Sequence, residues 1–273
     1  MVLDEVSLKK LQARLMDLMQ KIHIICVENN IRYTMIGGTM IGAVRHQGFI
    51  PWDDDIDIGM PYDDYKKFID VVSSHNYEGL AFGIPGVTED YFQTFVKVYD
   101  TNSTLRECKR IKSKAKRIFV DVFPLSYVGN SWLGGYCNAR IFRFWRDILL
   151  RKDFHLSSGY FVLVEWIYIL LGYFIPASKT IAKINALYER LQKKKSAYMA
   201  DLDGYKEGIV PAYLFDNFIL FSFGSYHFYG VKNADEYLTR VFGDYMTLPP
   251  VEKRKPHHIE YLNLNRSYLD IEE

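Results

Sequence analysis

The chain is poor in cysteine. Its three, Cys26, Cys108 and Cys137 in 273 residues, are scattered, odd in number and at no zinc-ligand spacing. That excludes a disulfide framework and fits a reducing compartment, so a cytoplasmic location is expected. An excess of charge of either sign is also missing: 34 Lys and Arg stand against 33 Asp and Glu, a net of +1. Without a basic surplus, nucleic acid is not expected as a partner. Met1-Val2-Leu3-Asp4-Glu5 has no basic start followed by an apolar core, so no secretory signal is expected. Long apolar runs are lacking too. The nearest approach, Tyr160 to Ile175, has 16 residues with Glu165 inside, and a membrane-crossing helix takes about 20. No repeat, low-complexity tract or clear linker is visible, so a single domain over residues 1–273 is expected.

What is present is concentrated in Gly37 to Met60, GGTMIGAVRHQGFIPWDDDIDIGM. A glycine turn, Gly37-Gly38-Thr39, is followed by a basic pair, Arg45-His46, and then by Asp53, Asp54, Asp55 and Asp57. Acidic clusters are usually solvated surface. Here the acids lie between an apolar entry (Phe49, Ile50, Trp52) and an apolar exit (Ile56, Ile58, Met60). Carboxylates at that density repel one another and call for a cation. In a β-like segment from Asp55 to Ile58, Asp55 and Asp57 point to one face, about 6–7 Å apart along the strand. Both can reach one hard divalent ion, and Mg²⁺, with Mn²⁺ as the alternative, is the expected occupant. The glycine turn leads from a strand at 31–36 into a short helix, which makes a phosphate site at a helix N-terminus. Arg45 suits an anion clamp because its planar fork meets phosphate oxygens in pairs.

These residues resemble the signature of the LicD family of phosphocholine transferases, a branch of the nucleotidyltransferase superfamily that includes the fukutin-related ribitol-phosphate transferases. Further blocks resemble the family in the same order: Phe95 to Asp100, Phe119 to Leu125, Gly243 to Met246 with Leu248-Pro249-Pro250, and Glu252-Lys253-Arg254. Many relatives carry an acid after Phe-Pro-Leu, where this chain has Ser126. The resemblance implies an α/β (α+β) fold, a nucleotidyltransferase-like mixed sheet flanked by helices. It also implies CDP-choline or a similar CDP-alcohol as donor, a glycan or lipid-linked glycan hydroxyl as acceptor, and CMP as leaving group. CDP-ribitol is an alternative donor. A nucleotide-sugar glycosyltransferase using its D-x-D, and a non-catalytic protein that kept the fold, are the rival classes.

Elsewhere the pattern is mostly structural. Leu8, Leu11, Leu15, Leu18, Ile22 and Ile25 recur at helical spacing, which predicts a helix over 7–28. A helix beginning at Pro61-Tyr62-Asp63-Asp64 follows, through about Ser73, with Asp63 and Asp64 as partners of its N-terminal dipole. Segment 75–130 reads as sheet. Lys97, in an otherwise apolar strand, is either an edge guard or, as the resemblance favours, a phosphate binder. Asp121 is one acid inside Ile118 to Phe123, apolar on both sides. A buried lone carboxylate is costly without a partner, and the metal held by Asp55 and Asp57 is the expected one. That makes Asp121 a third ligand or the base for the attacking hydroxyl. The basic run within 105–117 is either a solvated loop or an anion or membrane contact. Residues 130–200 form a mostly helical insertion. Its stretch 160–175 reads first as a buried helix, with contact at the inner membrane surface as the rival because aromatic and basic residues precede it. A small β-rich portion follows at 205–235, then a helix at 234–242 closed by Gly243. Arg254 and His257 are placed to close the pocket over the substrate.

Overall fold

The computed structural model describes residues 4–106, 117–152, 163–204, 206–256, 259 and 261–267. Most of the basic run (107–116), His257 with its neighbour His258, and residues 160–162 lie outside the described residues.

Helix α1 (Glu5–Glu28) starts where the Asp4 side chain accepts the Ser7 backbone N–H at 2.8 Å. Its buried line is the predicted one, Leu8 through Ile25. A short strand β1 (Thr34–Met35) then runs into helix α2 (Gly37–His46), and strand β2 (Asp57–Pro61) leads directly into helix α3 (Tyr62–Ser74). Strands β3 (Leu80–Gly83), β4 (Val96–Asp100), β5 (Thr104–Arg106) and the long β6 (Phe119–Gly129) follow. Helices α4 (Trp132–Leu150), α5 (Leu163–Phe174) and α6 (Ala177–Gln192) form the helical insertion. The chain returns as β7 (Tyr198–Asp201), β8 (Val210–Pro211), β9 (Phe218–Phe223) and β10 (Tyr226–Val231), then helix α7 (Ala234–Phe242) and β11 (Tyr261–Asn263).

Among the described residues, nine strands form one mixed sheet with the main order β3-β4-β6-β2-β1-β10-β9, extended by β7 and β8 alongside β6. The α/β class is the expected one. The β-rich C-terminal stretch joins the same sheet, because β10 runs parallel to β1 with Met35 opposite Gly230. The β-like segment begins later than expected, at Asp57.

Two pairings set the site. Strand β2 runs parallel to β6 with Asp57 opposite Asp121, and β4 runs antiparallel to β6 with Lys97 opposite Asp121. Partners in register share a face, so Lys97, Asp121 and Asp57 form one row across three strands, with about 4.8 Å between neighbouring strands. The alternate residues Ile58, Val96, Val98, Val120 and Val122 face the other way and are fully buried. Helix α1 covers that apolar face, since its Arg14 reaches Asp100, which alternation places beside Val96 and Val98. Asp64 does more than complement a helix dipole: it takes both the backbone N–H and the guanidinium of Arg32, at 3.1 and 2.9 Å, and so ties α3 to the approach to β1.

Strand β6 carries two neighbours on one edge. Strand β4 pairs with its first half and β7 with its second, where Leu125 is opposite Asp201. A cavity of about 450 Å³ opens where β4 gives way to β7.

Candidate active site

Gly37 has φ +57, a left-handed conformation that costs a residue with a Cβ. A Cβ there would stand 3.4 Å from Oδ2 of Asp57, and one on Gly38 would stand 2.9 Å from Oδ2 of Asp53. The glycine turn therefore lets two carboxylates close on the N-terminus of α2, where the helix dipole favours negative charge. Thr39 fixes the arrangement: its Oγ1 accepts the Asp57 backbone N–H at 2.9 Å. Gln12 of α1 holds the acidic loop from the other side by donating to the Asp53 carbonyl at 2.8 Å.

Five acids meet here. Among the described residues, one carboxylate oxygen from each of Asp53, Asp54 and Asp55 lies within 4.8 Å of the others, a closer group than the expected Asp55, Asp57 and Asp121. Removal from water pushes the Asp57 carboxyl well above the usual carboxylate range, and the nearby Asp55 and Asp121 carboxylates push it the same way. The Lys97 ammonium offsets part of this. Lys97 lies in an interior strand, between β3 and β6, so the edge-guard reading does not hold. Its Nζ is 2.7 and 3.0 Å from the two oxygens of Asp121 and stands over the Phe119 ring, 3.2 Å from the centroid. The half-buried acid of β6 thus has a lysine beside it as well as the Asp57 carboxylate.

The structure separates the second basic group from this row. Arg45 sits at the far end of α2 from the glycine turn, about 12 Å along the axis at 1.5 Å per residue. It donates to the Tyr245 carbonyl and, at 2.9 Å, to Nε2 of His46. It is not among the residues lining the cavity. Burial and then the nearby Arg254 lower the Arg45 pKa; burial and then Arg45 lower that of His46. Arg254 lies over the Trp52 ring at 5.5 Å and donates to the Pro249 carbonyl at 2.8 Å. Arg45, His46 and Arg254 therefore form a basic group of their own beside the entry to the acidic loop.

Gly37, Gly38 and Asp57 line the cavity. It is also lined by residues that sequence reasoning did not assign to a site. Phe95 and Phe123 face each other with ring centroids 4.3 Å apart. Phe215 and Tyr237 make a T-shaped pair at 5.8 Å. Asp201 and Asp203 complete the wall. Asp203 is paired with Arg146 at 2.6 Å and accepts a hydrogen bond from the Thr94 hydroxyl. A second acidic-x-acidic pair after the apolar Met199-Ala200 was the available signal. Ser126, where many relatives have an acid, alternates away from Leu125 and the cavity; it is buried and accepts from Gln192 at 2.9 Å.

A parallel strand pair bearing acids, beside a helix that opens on two glycines, is the frame of a nucleotidyltransferase-type domain. Residues 30–153 match the family model described as LicD/FKTN/FKRP, nucleotidyltransferase domain. Over 264 residues, 94% of this chain and 97% of the relative, the sequence is 30% identical to the lipopolysaccharide cholinephosphotransferase LicD of Haemophilus influenzae. Shorter matches, 50% identical over 54 residues and 52% over 50, join it to uncharacterised proteins of Rickettsia typhi and Rickettsia prowazekii, each over less than a fifth of the relative's length. The chain belongs to the LicD family and is a transferase.

Proposed function

We propose that this transferase moves phosphocholine from CDP-choline to a sugar hydroxyl of a cell-surface glycan precursor, of lipopolysaccharide or teichoic acid type, and releases CMP. The observation that carries this reading is the row Lys97–Asp121–Asp57 beside the glycine turn and acidic loop. Crowded carboxylates whose neighbours raise the proton affinity of Asp57 fit a divalent cation. Asp55, Asp57 and Asp121 would hold Mg²⁺ (or Mn²⁺), with Asp53 close by. When bound, the ion supplies positive charge for the diphosphate of the donor.

The chain's own residues do the rest by position and charge. Lys97 holds the Asp121 carboxylate in place and brings a cation to the row. Gly37 and Gly38 keep the wall low enough for the phosphates to approach the helix N-terminus. Arg45, His46 and Arg254 form the second basic group, suited to phosphate oxygens on the leaving nucleotide, and His257, outside the described residues, is kept as a candidate substrate contact from the sequence alone. The acceptor hydroxyl forms a bond to the phosphorus of the phosphocholine group as the bond to CMP breaks. Its proton passes to the carboxylate cluster.

CDP-ribitol or another CDP-polyol is the alternative donor, since the matched family description spans a branch beyond LicD. The acceptor being lipid-linked would place the protein in the cytoplasm at the inner membrane surface. No single helix among the described residues is long and apolar enough to cross a membrane. The outer side of α5 nevertheless leaves Leu170 59%, Tyr173 83% and Phe174 70% exposed, a surface suited to peripheral contact. The test is CMP release by purified protein with Mg²⁺, acceptor glycan and a panel of CDP-alcohols and sugar nucleotides. CDP-choline should give the fastest release and a chelator should abolish it. Faster release from CDP-ribitol would change the donor; turnover of a sugar nucleotide alone would overturn the reading.

A further inference from the structure

The cavity at the β4–β7 junction joins three features that bear on the donor's alcohol. It shares Gly37, Gly38 and Asp57 with the acid row, so a group held there lies beside the reacting diphosphate. It is walled by aromatic rings from separate parts of the chain: Phe95 and Phe123 from the β4 and β6 side, Phe215 and Tyr237 from the C-terminal third. It also contains a carboxylate with no ion-pair partner among the described residues. Asp201 accepts the backbone N–H of Asp203 at 2.9 Å, whereas the Arg146 guanidinium is committed to Asp203 and Asp147.

We propose that this cavity holds the quaternary ammonium of the donor, with Phe95, Phe123, Phe215 and Tyr237 as its aromatic walls and Asp201 as its counter-charge. The proposal rests on the CDP-choline reading above and assigns the part of the site that reads the alcohol. A quaternary nitrogen has no N–H to donate. It gains from ring faces and from one nearby negative charge, not from a polar cage. The aromatic walls and Asp201, an acid without an ion pair among the described residues, match that need. The volume, about 450 Å³, is within the common range for small-ligand sites. Burial, and then Asp203, push the Asp201 carboxyl up to about 8 although the Arg146 guanidinium pulls it the other way, and a cation held in the cavity would draw it back down.

The rival occupant is the cytosine ring, whose exocyclic amine could also meet Asp201 while the ring stacks on Phe123. Binding measurements separate the two. CDP-choline and CMP are titrated calorimetrically, with Mg²⁺, into the wild type, Asp201→Asn and Phe123→Leu, and each variant's melting temperature is checked. CDP-choline should bind at least about tenfold more weakly to both variants, with CMP changed less than about twofold. Tetramethylammonium should compete with CDP-choline on the wild type and leave CMP binding alone, a readout that needs no substitution. Equal losses for CMP and CDP-choline would assign the cavity to the nucleoside and overturn the proposal, as would no loss for either ligand. A wild type that binds CMP but not CDP-choline would overturn the donor reading itself.

Discussion

Two regions of the molecule handle apolar surface in opposite ways. In the sheet, Val96, Val98, Val120 and Val122 are wholly buried on one face, while the other face carries Lys97, Asp121 and Asp57 in a row. In the helical insertion, α5 packs one side on α4, where Gly172 meets the Ile148 carbonyl, and leaves Ile167, Leu170, Tyr173 and Phe174 outside. Expected as a buried helix, it is buried on that one side only among its described residues. The comparison teaches that polar groups in an apolar strand and apolar groups on an open helix are both departures that folding alone does not explain. On the proposed reading, the first is where the chemistry is placed and the second is a surface for peripheral contact.

The largest expected effects break the row. Asp57→Asn and Asp121→Asn should each lower CMP release at least about a hundredfold, since each removes a proposed ligand of the cation that neutralises the donor's diphosphate. Lys97→Met should also lose activity and should destabilise, because it leaves Asp121 beside other carboxylates without its cation. In contrast, Tyr173→Ser with Phe174→Ser on α5 should change stability by less than about 0.5 kcal/mol, as exposed substitutions do. The pair should instead weaken binding to anionic vesicles in a flotation assay.

Next come the glycines and the core. Gly38→Ala drives a methyl group to 2.9 Å from the Asp53 carboxylate, so the acidic loop must shift; activity should fall tenfold or more with the melting temperature little changed. Phe142→Ala, at a fully buried position on α4, should cost about 3–5 kcal/mol in a denaturant titration while the remaining folded protein keeps its activity.

The smallest effect is in pH. Asp57 and Asp201 both have carboxyls raised in the folded state, so their contribution to stability is full below the usual value of 3.8 and is lost as pH rises through the raised value. For Asp201 that window runs from 3.8 to about 8. Without metal, stability should therefore decline across it, and Mg²⁺ should raise the melting temperature more at pH 8 than at pH 5. A metal-induced shift that is flat with pH would count against carboxylates as the ligands.

The legible parts of the site were those written locally. Asp121 was visible because one acid interrupts an apolar strand, and α7 because its periodicity ends at a glycine; its span, Ala234–Phe242, is the one expected. The partner of Asp121 was not legible, since Lys97 meets it only through the β4–β6 register, 24 residues apart. Arg45 is close to the glycine turn in sequence, but α2 carries it to the opposite end of the helix, beside Arg254, a grouping that no local pattern states. Asp201 and Phe215 join the cavity because β7 pairs with the second half of β6, a long-range choice that no local pattern states.

The account stands most directly on cation binding at the carboxylate row. Mn²⁺ titration followed by electron paramagnetic resonance, on the wild type and on Asp57→Asn and Asp121→Asn, reads it without substrate. The expected result is one or two tight ions in the wild type and at least about tenfold weaker binding in both variants. Equal binding in all three proteins, or none in the wild type, would contradict it.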